Sequence, residues 1–271
     1  MRGLFTAGVT DALYAARIRF DGIIGVSAGA CFGCNYKSHQ PGRAIRYNMR
    51  YARDPRYCSW RSLLHTGDLF NAQFCYREIP DRLDPFDRRM FDADPCAFYC
   101  VTTDCATAQA VYHHCARADA DTFERIRASA SMPGVARPVP LDGGLHLDGG
   151  LSDGIPLLHF ESIGYDRNVV ILTRPRDYRK HPSWKHALLR PFLRDLPAIS
   201  RAVRERPLVY NATLDAIAAR ERAGAALVIA PEAPLPIGRI CHDPTRMRQV
   251  YDIGLCLGRK RASDVERFLA G

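Results

Sequence analysis

The sequence predicts an α/β protein, a three-layer α/β/α arrangement around a mainly parallel central sheet, folded as a single domain over residues 1–271. Three observations lead there. Apolar runs of strand length, at 20–25, 97–103, 168–173 (NVVILT) and 226–230 (ALVIA), are separated by stretches of helical periodicity. Strands that alternate with helices favour parallel pairing through crossover connections. A chain of 271 residues that is 47% hydrophobic can bury one substantial core.

Taken in order, residues 4–16 read as a helix whose face of Leu4, Ala7, Gly8 and Asp11 to Leu13 is small enough to pack closely, and 20–25 as a buried strand. A helix from Ala28 to about Tyr36 is ended by Gln40-Pro41-Gly42, and another follows at 43–53. Residues 54–95, rich in Pro, Asp, Arg and aromatics, predict short helices and loops that could cap a site. AFYCVTT (97–103) and QAVYH (109–113) read as paired strands. A helix at 122–131, capped by Asp121 or Thr122, stops at Pro133-Gly134. Short strands at 137–141 and 145–147 flank Asp142-Gly143-Gly144. Residues 184–223 are predominantly helical, and 245–269 closes the chain as a long helix, with neither an internal repeat nor a low-complexity linker.

The net charge of +9 favours an anionic partner, a nucleic acid or an acidic membrane surface. No recognition module for nucleic acid accompanies it, so none is expected as a partner. No run reaches the roughly 18 apolar residues of a membrane span, and MRGLFTAGVTDAL lacks the pattern of a secretory signal. Ten cysteines scattered through helices and strands predict reduced, mostly buried thiols and a cytoplasmic address. Cys31 and Cys34 form a lone CxxC, and no second one completes a zinc site. Strand alternation should point Cys96, Cys100, Cys105, His113, His114 and Cys115 to different faces, so neither metal nor other cofactor is expected.

The chemistry concentrates in FDGIIGVSAGACFG, residues 20–33. Gly25-Val26-Ser27-Ala28-Gly29 is a GxSxG match between a strand and a helix, the context of a nucleophile elbow. Gly25 and Gly29 remove Cβ atoms where the chain turns sharply and where strand and helix approach. Ser27 would stand at a helix N-terminus, where free N–H groups favour developing negative charge. Neither GxGxxG nor a Walker lysine follows, which disfavours a nucleotide site. An α/β-hydrolase is disfavoured as well, because its strands and oxyanion segment need more chain than the 26 residues before Ser27. None of the nine histidines sits in a catalytic setting, whereas Asp148, in LDGGLSDGIP, ends a short strand before two glycines.

Together GVSAG, IRASASMPGVARPV and LDGGLSDGIP resemble, in type, order and spacing, the patatin-like phospholipase family, over residues 1–173 and more weakly into the basic helical portion 174–271, where the chain looks like a bacterial branch. The resemblance implies a patatin-like fold and a Ser/Asp acyl hydrolase with no catalytic histidine. Ser27 matches the elbow serine (nucleophile), and Asp148 matches the aspartate of the DGG motif (proton acceptor) with Gly149 and Gly150 after it. Asp142-Gly143-Gly144 lacks the family's continuation and is expected in a hairpin turn. Asp153 is expected to be a structural acid before the next helix.

The family's Gly-rich oxyanion loop, GGGxRG, has only Arg2 and Gly3 as its match, and the strand and glycines expected before Arg2 are absent from the sequence. One reading is that translation starts further upstream; the other is that the sheet lacks its first strand, which would suit a catalytically impaired, membrane-associated binding or regulatory protein. The expected substrate is a lipid ester or phospholipid. In residues 174–206 basic groups, among them Lys185, Arg190 and Arg194, interleave with Tyr178, Trp184, Leu188, Leu189, Phe192 and Leu193. This segment reads either as an amphipathic helix covering the sheet or as a peripheral contact with anionic membrane.

Overall fold

Alternating apolar residues build the sheet layer of the chain. A computed structural model describes residues 1–271, the side chains of Trp184, Lys185, His186, Leu188 and Arg190 lying outside the described set. Strand β1 (Gly22–Val26) pairs in parallel with β2 (Ala97–Asp104), Gly22 opposite Ala97 and Val26 opposite Val101. Antiparallel to β2 run β3 (Ala110–His114) and β5 (Gly144–Asp148), and β5 in turn pairs antiparallel with β4 (Val139–Leu141). Strands β6 (Asn168–Ile171) and β7 (Ala226–Ile229) form a separate parallel pair. The parallel pairs are those whose strands are joined by long helical connections, while tight turns join β2 to β3 and β4 to β5 antiparallel.

Helices cover both faces. On one side lie α1 (Leu4–Ala15), α3 (Arg43–Tyr51) and the long C-terminal α9 (Pro244–Ala270), which pack with Leu227 and Ile229 and partly bury Val169 and Ile171. On the other lie α7 (Leu157–Ser162) and α8 (Pro197–Arg222), against Val170, Leu172, Ala226 and Val228. The period-2 alternation of β6 and β7 therefore feeds two cores at once, as a three-layer α/β/α fold requires. The elbow helix α2 (Ala28–Lys37), with α5 (Arg88–Ala93) and α6 (Ala120–Ser129), encloses a further core around Phe91, Phe98 and Cys100.

The 54–95 stretch is short helices and loops, as its composition predicts, with α4 (Trp60–Thr66), a π-helical turn at Phe74–Leu83, and α5. Two local expectations are corrected. The first strand begins at Gly22, leaving Phe20 outside it. The cap of α6 is Asp119 rather than Asp121 or Thr122, because the Asp119 carboxylate accepts the Thr122 N–H at 2.9 Å and starts the helix at Ala120.

α1 and α9 pack along glycines. A Cβ on Gly8 would collide with the Tyr251 carbonyl oxygen, and one on Gly254 with that of Phe5. Gly258 is also closely packed, its added Cβ falling 2.7 Å from Ala12 Cβ. The sequence shows the small-residue face of the first helix, and the structure supplies its partner. Because backbone cannot move aside as a flexible side chain can, Gly254→Val is expected to destabilise the fold by about 3 kcal/mol, at the upper end for overpacking. An unchanged denaturant midpoint for this variant would refute that close contact.

Candidate active site

The strands themselves bring Ser27 and Asp148 together. Strand β2 has two edges, and β3 occupies one of them along Tyr99–Thr103. The other is therefore shared by β1, opposite residues 97–101, and by β5, opposite residues 102–104. β1 runs parallel to β2 and β5 antiparallel, so their C-terminal ends meet head to head, Val26 opposite Val101 and Asp148 opposite the next residue, Thr102. The residues that leave these two ends are Ser27 and Gly149.

Ser27 turns the chain from β1 into α2 with φ +55° and ψ −121°, a region that non-glycine residues seldom occupy. A Cβ on Gly25 would lie 2.5 Å from the Ala30 nitrogen, so glycine is required where the turn folds back on its strand. Gly29 differs from expectation: its added Cβ meets nothing within 4 Å, because the residue faces an open cavity rather than a packed interface. Gly149 is closely packed, since a Cβ there would collide with the Val101 carbonyl.

The segment from Ser129 to Ser131 ties the two ends to each other. Buried Ser129 Oγ accepts the Ser27 N–H at 2.9 Å, and the Ser131 carbonyl accepts the Asp148 N–H at 2.8 Å. Thr103 Oγ1 donates to the Asp148 carbonyl at 2.9 Å. Nothing in the sequence alone distinguishes Ser129 from other buried serines; only its place at the end of α6 does.

Asp148 is 2% exposed. Its Oδ1 accepts the Gly150 N–H at 2.8 Å, while Oδ2 is buried without a hydrogen bond of ordinary geometry. Burial holds this carboxyl above the usual carboxylate range, opposed by the Ser27 hydroxyl, then by the Arg206 guanidinium, the Gly150 N–H and Arg239. The Ser27 hydroxyl thus stands beside the Asp148 carboxylate and favours its charged form. Ala28 and Gly29, in the first turn of α2, have N–H groups with no intrahelical acceptor. Gly3, just before α1, packs against Ala28, its added Cβ falling 2.6 Å from Ala28 Cβ. Two helix N-termini therefore converge beside Ser27, and both favour negative charge there.

A cavity of about 1670 Å³ opens over this junction, lined by Ser27, Gly29 and Asp148, by apolar residues that include Phe32, Leu69, Phe70 and Ile79, and by Arg2. Residues of β1 and β6 both line it, and the two strands are not paired, so β1 ends its sheet on that side. Arg174, Lys180, Arg206 and Arg239 line the same cavity. The basic excess of residues 174–206 is plain in the sequence, but the turning of Arg174, Lys180 and Arg206 toward the cavity is not. Of the residues expected to face a membrane, Trp184, Lys185, Leu188 and Arg190 lie outside the described side chains.

The other candidates separate from the site. Asp142 and Gly143, both at positive φ, form the β4–β5 hairpin turn and border a different cleft of about 760 Å³. Asp153 accepts the Tyr112 hydroxyl at 2.8 Å and the Ile155 N–H at 3.2 Å ahead of α7. Cys100 and Cys115, expected on different faces, approach to 3.8 Å in the core, because Cys100 pairs with His113 and Cys115, just past the end of β3, lies two residues on and so on the same face. No group of three metal-ligating side chains gathers among the described residues, and all ten cysteines are free thiols.

Comparison with known proteins fits this architecture. The family model for patatin-like phospholipase matches residues 1–160, and a domain of unknown function (DUF6363) matches residues 196–270. The uncharacterized protein YjjU of Escherichia coli is 32% identical over 193 residues, covering 68% of this chain and 52% of that protein. Lysophospholipase nte1 of Aspergillus niger is 29% identical over 176 residues, 61% of this chain and 11% of that protein, and the same protein of Emericella nidulans matches equally at 29%. The chain thus spans about half of the first relative and a small part of the others. With the family model covering more than half its length, the chain belongs to the patatin-like phospholipase family.

Proposed function

We propose that this chain is a serine acyl hydrolase of lipid esters, working through a dyad of Ser27 and Asp148. The observation that carries the reading is the head-to-head meeting of β1 and β5, which brings a hydroxyl on a strained turn to a buried carboxylate, one of whose oxygens has no hydrogen-bond partner. Asp148 takes the Ser27 proton as Ser27 Oγ attacks the ester carbonyl carbon. The carbonyl oxygen becomes an oxyanion stabilised by the N–H groups of Ala28 and Gly29 and by the N-terminus of α1 at Gly3. Collapse breaks the ester C–O bond, and the alcohol leaves with the proton held on Asp148. Water then attacks the acyl-serine, giving its proton to Asp148, and Ser27 recovers it as the fatty acid departs. Burial suits Asp148 to this work, because a raised pKa makes a carboxylate a stronger base.

The homology to two fungal proteins named lysophospholipases supports a lipid ester as substrate. Lipid delivery from a membrane surface fits Trp60 and Leu64, 71% and 85% exposed one turn apart on α4. It also fits Phe192, 61% exposed near Arg194 in the basic segment. Among the described residues no helix is long and apolar enough to cross a membrane, and ten free thiols suit a reducing cytoplasmic address.

Ser27→Ala and Asp148→Asn should each remove turnover of a short-chain chromogenic ester while leaving the circular dichroism spectrum unchanged; retained turnover in Ser27→Ala would overturn the assignment. The stability of Asp148→Asn separates chemistry from folding. Because the folded-state pKa of Asp148 is raised, its stability contribution is present below the unfolded pKa and lost as pH rises through the folded value. At neutral pH its charge therefore opposes folding, and the asparagine variant should melt no lower than the parent.

The same shift fixes the acid limb of activity. Turnover needs the ionised carboxylate, so kcat/KM should rise with pH through a midpoint above the ordinary Asp value of about 3.9. A midpoint at or below that value would contradict the desolvated base.

Ser129→Ala leaves the Ser27 N–H without its acceptor. This should lower stability by about 1–3 kcal/mol and reduce kcat more than it raises KM, because the turn that aims Oγ loses its tie to α6. An unaltered kcat would argue that the turn is held by other contacts alone.

A further inference from the structure

Of the cations that line the cavity holding Ser27 and Asp148, five gather near one another: Arg2 before α1, Arg174 and Lys180 in the segment after β6, Arg206 on α8, and Arg239 in the segment before α9. They come from four separate parts of the chain. They also act on one another: Arg2 lies within coulombic reach of Arg174 and Arg239, and Lys180 within reach of Arg206, Arg239 and Arg2. None of the five makes an ion pair with a carboxylate among the described residues. By contrast Arg176, Arg179 and Arg220, in the same C-terminal half, each hold an acid at 4 Å or less.

Aromatic rings hold two of the charges instead. Lys180 Nζ sits 3.9 Å from the centroid of Tyr210, and the Arg174 guanidinium 4.8 Å from that of Tyr178. The backbone at Lys180 is fixed to α8, its N–H donating to Asn211 Oδ1 at 2.8 Å and its carbonyl accepting from Asn211 Nδ2 at 2.9 Å. The position of the ammonium is therefore built, yet its charge is left uncompensated. Arg206 Nε is fully buried and has no hydrogen-bond partner. Asp148 is the one acid that bears on both Lys180 and Arg206, and its charge is consumed and restored during turnover in the reading above.

Gathering several like charges away from water is unfavourable unless an anion completes the cluster. Planar guanidinium groups with an ammonium suit the oxygens of a phosphate, which they engage by charge-assisted and bidentate hydrogen bonds. We propose that the five cations form a phosphate subsite, so that the preferred substrate is an acyl ester whose head group carries a phosphate with no ammonium to offset it, such as lysophosphatidic acid. A quaternary ammonium on the head group would enter a field of its own sign. An uncharged acylglycerol would leave the cluster unmet. The apolar walls near Phe32, Leu69, Phe70 and Ile79 remain for the acyl chain. The substrate class rests on the acyl-hydrolase reading; the phosphate site itself does not.

The experiment compares the full chain with Arg174→Gln, Lys180→Gln, Arg239→Gln and their triple combination on three substrates of one acyl chain: lysophosphatidic acid, lysophosphatidylcholine and monoacylglycerol. Wild type should show kcat/KM for lysophosphatidic acid at least about tenfold above the other two, a difference well within what one or two charge-assisted bonds provide. The triple variant should lose that preference, its kcat/KM for lysophosphatidic acid falling at least about tenfold more than its kcat/KM for monoacylglycerol. Equal wild-type rates on lysophosphatidic acid and monoacylglycerol, or a triple variant that loses all three substrates alike, would overturn the proposal. Calorimetric titration with glycerol 3-phosphate and with inorganic phosphate tests the subsite without any turnover. Binding of glycerol 3-phosphate that the triple variant abolishes supports the subsite even if no ester is hydrolysed, in which case it is the hydrolase reading that fails. Binding of inorganic phosphate with no lysophosphatidic acid preference would assign the site to a free anion and overturn the head-group role, and binding of neither would remove the site altogether.

Discussion

The whole site depends on β1 and β5 sharing one edge of β2. A strand can be flanked by only two neighbours, and β3 takes the other side, so the parallel β1 and the antiparallel β5 must divide the remaining edge between them. Their ends consequently point at each other, and the residues that leave them, a serine on a strained turn and an aspartate before a closely packed glycine, cannot avoid proximity. Register enforces it: a slip of one residue in β5 would carry Asp148 to the opposite face of the sheet. The contacts of Ser129 and Ser131 act on the same junction, holding the two turns by one short segment at the end of α6.

This explains which parts of the molecule can be read from sequence. The strand, the turn and the helix around Ser27 are local, each written in a few consecutive residues, and so is the hairpin turn at Asp142-Gly143 with its two positive φ angles. The family motifs carry the pairing of Ser27 with Asp148, because their order and spacing encode a topology that propensity alone does not. What escapes is non-local. Alternation cannot show that Cys100 and Cys115 face each other, since the register of β2 against β3 is set by tertiary contacts. Nor can composition show that Gly29 opens on a cavity whereas Gly25 is forced by a near collision with Ala30. The cap of α6 is missed by two or three residues because three candidate side chains lie within four positions, and only geometry selects Asp119.

Electrostatics in the cavity has two opposing parts. Burial makes the Asp148 charge unfavourable, and the nearby cations make it favourable; the net effect leaves the carboxyl above its usual range. For the cations the balance runs the other way: burial, then the repulsion of Arg206, Arg239 and Arg2, lowers the Lys180 ammonium from 10.5 to about 7, and Asp148 alone among the major influences raises it. The carboxylate and the cation cluster are therefore coupled. An anion bound by the cluster would replace part of what Asp148 supplies, leaving that carboxylate freer to take a proton.

The two matched regions meet in one cavity. The patatin-like match ends at residue 160, yet Arg206 and Tyr210 on α8 reach the cavity from the part matched by the domain of unknown function, as does Arg239. The same C-terminal region supplies α9, whose glycines let its backbone touch that of α1, and Gly3 at the head of α1 abuts Ala28 in the first turn of the elbow helix. A continuous line of rigid contacts thus runs from α9 through α1 to the turn at Ser27. Shifting α9 against α1 would move the helix N-terminus that favours an oxyanion, while moving α8 would withdraw charge from the cavity. The C-terminal helices thus act on the site by two routes, one through backbone position and one through charge. A substitution at the α1–α9 contact should disturb the oxyanion side, whereas one at Tyr210 or Asn211 should disturb the placement of Lys180 and leave the turn untouched.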